Sequence, residues 1–79
     1  MKTEQILILV MAELDRAAKL HPAWPDDLVH AAAILAEEAG ETLRAANTFN
    51  KTRSGKNEII TEAVQTAAMA IRLLQNINQ

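Results

Sequence analysis

The chain has 79 residues, carries a formal net charge of −2 and lacks cysteine. At this length one domain spans residues 1–79, and folding buries only about 60% of the unfolded surface, so self-association is expected to complete the core. The charge balance gives no basic footprint for DNA or RNA, and without thiolates any metal must be held by oxygen or by His21 and His30.

The first helix is expected over Thr3 to Leu20, with Thr3 as N-cap and Ile6, Val10, Leu14 and Ala17 recurring at helical spacing. Its run Ile6-Leu7-Ile8-Leu9-Val10-Met11 is apolar on every side, which calls for burial within the chain and against another copy. The run is much shorter than the ~20 residues of a membrane span, and no small-residue cleavage site follows it. A soluble, cytoplasmic chain without membrane contact is expected.

His21-Pro22-Ala23-Trp24-Pro25 reads as a connector, with Pro25 at the first position of a second helix that ends near Asn47. Its inner stripe is expected to be Leu28, Ala32, Leu35, Ala39, Leu43 and Ala46. A second stripe, roughly 110° around, holds Asp27, Ala31, Ile34, Glu38, Glu41 and Ala45. A loop over Thr48 to Gly55 leads into a third helix over Lys56 to Asn76, with Ile60, Val64, Ala67, Ile71 and Leu74 inward and Glu58, Glu62, Gln65, Met69 and Leu73 on the other side. The fold class is therefore all-α, a three-helix protomer assembling into a dimeric or tetrameric bundle.

Glu37-Glu38-Ala39-Gly40-Glu41 concentrates three acids on the second helix, with no Lys or Arg at the following i+4 positions. The like-charge pair Glu37 and Glu41 alone costs roughly 0.2–0.5 kcal/mol in an isolated helix. Apolar Ile and Met share the two acidic faces, so both are expected to be partly covered by another helix. Partly covered carboxylates require protonation, pairing or a cation. Hard oxygen donors favour Mg²⁺ or Mn²⁺ over zinc. The plainer reading is a solvated acidic surface. Gly40 within the helix is taken as a sign of close helix contact.

These residues resemble the MazG-like all-α nucleoside triphosphate pyrophosphohydrolases, whose pattern is E-E-x-x-E on one helix and E-x-x-D on the next. Glu37, Glu38 and Glu41 match the first half, and Glu62-Ala63-Val64-Gln65 stands at the second, with Gln65 in place of the aspartate. The similarity covers roughly residues 20 to 75. It implies hydrolysis of a nucleoside triphosphate to the monophosphate and pyrophosphate, with Mg²⁺ (or Mn²⁺) held by Glu38, Glu41, Glu62 and Gln65. Glu37 and Glu38 would be catalytic, Glu37 by orienting or deprotonating water or binding a second metal. It also implies a homodimer or homotetramer. Trp24 is a candidate for base stacking and Lys51, Arg53 and Lys56 for phosphate contacts; packing and solvation are the plainer roles. His30 is a candidate to support the metal from outside its ligands, and Asn47 is first a helix stop. The alternative function is a noncatalytic oligomerisation or binding module whose activity was lost with Gln65.

Overall fold

The computed structural model describes residues 1–77, which form helices α1 (Thr3–Leu20), α2 (Leu28–Thr52) and α3 (Lys56–Asn76), with no strand among them. The N-cap of α1 is Lys2 rather than Thr3. The Lys2 backbone N–H donates to Gln5 Oε1 at 2.9 Å, so the glutamine three residues on supplies the end group that Thr3 was expected to provide. The helix stops at His21, whose N–H reaches the Ala17 carbonyl at 2.8 Å, because the next residue is Pro22.

Pro25 does not open α2. Asp27 is the N-cap, its carboxylate accepting from the His30 N–H at 2.9 Å, and this side-chain cap decides the start where a preset proline φ does not. Nor does Asn47 end it. The helix continues through Thr48 to Thr52, with Thr52 Oγ1 donating to the Thr48 carbonyl at 3.0 Å. Arg53 takes the left-handed conformation at φ 60° and its N–H closes on the Phe49 carbonyl at 2.7 Å. Gly55, at φ 90°, completes the reversal into α3, a conformation a side chain at that position would strain.

Helices α1 and α2 both pack on α3, and their backbones do not approach each other. The core holds Leu14 and Ala17 of α1 with Ala68 and Met69 of α3, flanked by Trp24, Ile34, Leu35 and Ile71. On α2 the expected inner stripe holds only in part: Leu35 flanks the core, but Leu28 and Leu43 are exposed, while Ala31 of the second stripe is fully buried. Small side chains such as Ala31 and the half-buried Ala45 occupy inward positions, while Leu28 and Leu43 are turned out. On α3, likewise, Leu74 is exposed whereas Ala68, Met69 and Arg72 are buried.

Gly40 is not at a close contact within the protomer, since a Cβ built there meets nothing within 4 Å. The molecule is elongated, 42 × 27 × 22 Å with a radius of gyration of 13.5 Å, against about 11.6 Å for a compact chain of this length.

Candidate carboxylate site

Glu38 and Glu41 lie on the face of α2 that Ala31, Ile34 and Ala45 turn toward α3, and Glu62 and Gln65 occupy the answering face of α3. Antiparallel packing sets Glu41 across from Glu62 and Glu38 across from Gln65. Beside them Thr42 Oγ1 and Thr66 Oγ1 meet at 3.1 Å, tying the two helices together. Each hydroxyl also reaches a carbonyl one turn back, Glu38 at 3.1 Å and Glu62 at 2.8 Å. One proton per hydroxyl allows two of these three bonds at once.

Glu38, Glu41 and Glu62 each present a carboxylate oxygen, all within 4.8 Å of one another. The end of the Gln65 amide stands 3.1 Å from Glu62 Oε2 and 3.2 Å from Glu38 Oε2. With its nitrogen turned inward, the amide donates to both carboxylates. With its oxygen inward, four oxygens crowd together, an arrangement relieved by a shared proton or by a cation among them. Mg²⁺ brings neighbouring ligand oxygens to about 3 Å and opposite ones to about 4 Å, so small side-chain adjustments fit this donor set to one hard ion.

The crowding shows in acidity. Partial burial pushes the Glu38 carboxyl up, and the charges of Glu41, Glu13 and Glu37 push it further. Glu62 is also raised, first by burial, then by its hydrogen-bonding contact with Glu41 and by the charges of Glu41, Glu38 and Glu58. Both acids hold protons more readily than free carboxylates do.

A cavity opens on each side of the cluster. The first, about 340 Å³, is lined by Glu38, Gln65, Trp24, Met69, Arg16 and Arg72. The second, about 330 Å³, is lined by Glu41, Glu62, Arg44, Thr48, Gly55 and Glu58. Trp24 thus shares a cavity with two of the cluster residues. Glu37 is exposed and outside the close triad, felt by Glu38 through its charge. Lys51, Arg53 and Lys56 are exposed and line neither cavity; Arg53 and Lys56 sit 5.9 and 5.4 Å from the Phe49 ring. His30 is exposed, and Asn47 lies inside α2.

Sequence reading passed over three arginines that line the cavities. Arg44 follows Glu41 by three residues and Arg72 follows Gln65 by seven, so helical register was the available signal for both. Arg16 gave no such signal, because only tertiary packing brings α1 to the cavity. No helix among the described residues is long and apolar enough to cross a membrane. The chain matches no family model, no curated protein and no solved structure.

Proposed function

We propose that the protein is a metal-dependent nucleoside triphosphate pyrophosphohydrolase of the MazG-like all-α type, cleaving a triphosphate to the monophosphate and pyrophosphate. The convergence of Glu38, Glu41 and Glu62 within 4.8 Å, between two cavities of nucleotide scale, is the observation that carries this reading. Glu38, Glu41 and Glu62, with Gln65 through its amide oxygen, are the residues that would hold Mg²⁺ or Mn²⁺. Bound there, the ion would neutralise the triphosphate and the charge that develops as the phosphoanhydride bond breaks. Glu37, exposed next to Glu38 in the chain, would orient or deprotonate an attacking water.

The same proposal has the chain working as a homodimer or homotetramer. Its accessible surface is 5847 Å², roughly 1,100 Å² more than a folded monomer of this mass presents. That excess exceeds the ~800 Å² per partner of a standard interface. Much of it is apolar: Leu7, Ile8 and Met11 on α1 and Val29 on α2 are all more than half exposed.

One observation favours a second reading, a noncatalytic module on the same scaffold. The Gln65 amide can satisfy Glu38 and Glu62 by itself, as an aspartate could not. Pyrophosphate release from a panel of ribo- and deoxynucleoside triphosphates, with Mg²⁺ or Mn²⁺, separates the two. Metal-dependent release supports hydrolysis; folded protein that cleaves none of the panel supports the module.

A further inference from the structure

The Thr42–Thr66 contact marks the line along which α2 and α3 meet, and it divides the pair into two faces of opposite character. At ~100° per residue, Glu38 and Glu41 fall roughly 40° and 100° to one side of Thr42, and Glu62 and Gln65 fall by the same angles to one side of Thr66. Because the helices are antiparallel, the same sense of rotation on both leads to the same face. To the other side α2 turns Leu35, Ala39, Leu43 and Ala46, and α3 turns Ala63, Ala67, Ala70 and Leu74. No charged side chain of α2 between Leu28 and Ala46, or of α3 between Ile59 and Leu74, falls on this second face. Helix α1 extends it: Val10 and Ala17 are buried toward α3 and Glu13 and Arg16 line the cavity beside Glu38, which turns Leu7, Met11 and Ala18 the opposite way. The face lies open in the protomer. Leu43 and Leu74 are 63% and 68% exposed, and an apolar cavity of about 240 Å³ indents it between Val10, Ile59, Ala63 and Ala67.

We propose that a second copy of this chain covers this uncharged face with the same face of its own, leaving the two carboxylate clusters outward on the far sides of the pair. Two observations select this occupant. The face is self-complementary: Ala63, Ala67 and Ala70 form a shallow trough on α3, flanked by Leu43 of α2 and by Leu7 and Met11 of α1, so in an isologous contact the larger side chains of each copy enter the trough of the other. The surface excess of roughly 1,100 Å² also supplies the ~800 Å² that each partner contributes to a standard interface. Glu38, Glu41, Glu62 and Gln65 all come from α2 and α3 of one chain, so each cluster is complete without a side chain from the partner. The assignment rests on the self-association in the reading above and gives it a face; it does not depend on hydrolysis.

The chain has no cysteine, so a single introduced thiol reports one position. Ala39→Cys and Ala63→Cys place it on the proposed interface, and Ala33→Cys places it on the side of α2 turned away from α3. All three positions are exposed in the protomer, so a lone protomer would react equally at each. In the full chain a maleimide is expected to label the first two at least about tenfold more slowly than the third, with the difference lost in urea. Leu43→Glu is expected to halve the mass measured by light scattering while the helical circular dichroism is kept. Should that variant not fold, the labelling decides alone. Equal labelling at the three positions, or a folded Leu43→Glu variant of unchanged mass, overturns the assignment. A monomeric parent overturns it together with self-association, whereas an oligomeric parent with equal labelling overturns only the choice of face. Neither measurement uses nucleotide or metal, so absence of pyrophosphate release in the separate assay would remove the hydrolysis reading and leave a protected face standing.

Discussion

Gln65 sets the chemistry of the cluster because its amide can turn either way: nitrogen inward it satisfies Glu38 and Glu62, oxygen inward it joins them as a neutral ligand. A Gln65→Asp variant adds a fourth carboxylate. Its metal-free form is expected to be less stable than the parent, and its Mg²⁺ dissociation constant about tenfold lower by calorimetry. Unchanged affinity would mean that residue 65 does not face the ion. Glu38→Gln and Glu62→Gln are each expected to lower pyrophosphate release by at least about a hundredfold while leaving the helical fold intact. The raised acidities of Glu38 and Glu62 also give the sign of the pH dependence. The native state binds protons that the unfolded chain releases, so this contribution to stability is complete below the ordinary carboxylate value of about 4.3 and is lost as pH rises through the raised values. The metal-free protein should therefore melt at a lower temperature at pH ~7 than at pH ~5, and Mg²⁺ should narrow the difference. Thermal melts that are flat with pH and indifferent to Mg²⁺ would show that the acids are merely solvated.

The bounds of α1 and α3 were legible in the sequence because long periodic segments end at Pro22 and begin after Gly55, where the backbone has few alternatives. The ends of α2 were not. Its start depends on a side-chain cap at Asp27, and its stop on Arg53 accepting a left-handed conformation, neither of which periodicity reveals. Its inner face was read only in part for a related reason: hydropathy ranks leucine above alanine, whereas the packing takes in Leu35 and Ala31 and leaves Leu28 and Leu43 outside. The acidic residues of the site were legible from their spacing, since carboxylates one turn apart on adjoining helices meet wherever those helices pack. Arg72 was not, because its burial and its bond to the His21 carbonyl exist only in three dimensions. Gly40 carries a prediction at this scale. With open space around its Cβ position, Gly40→Ala should stabilise α2 by about 0.8–1.0 kcal/mol, measured by urea denaturation. Loss of stability together with dissociation would instead place a second copy against that position.

As a whole the protomer is longer and more exposed than its mass requires, with α1 presenting Leu7, Ile8 and Met11 outward. Light scattering coupled to size-exclusion chromatography should give a mass two or four times 8.7 kDa, and Ile8→Glu should lower it by desolvating a charge in the interface. A monomer at all concentrations would assign the apolar face to something other than self-association. The proposed chemistry itself is tested most directly by ³¹P NMR of nucleoside triphosphates incubated with the protein and Mg²⁺. Monophosphate and pyrophosphate signals that grow with time, vanish in EDTA and fail to appear with Glu38→Gln or Glu62→Gln are the predicted result. Intact triphosphate across the panel, a diphosphate and inorganic phosphate instead, or an undiminished yield from both variants would contradict it.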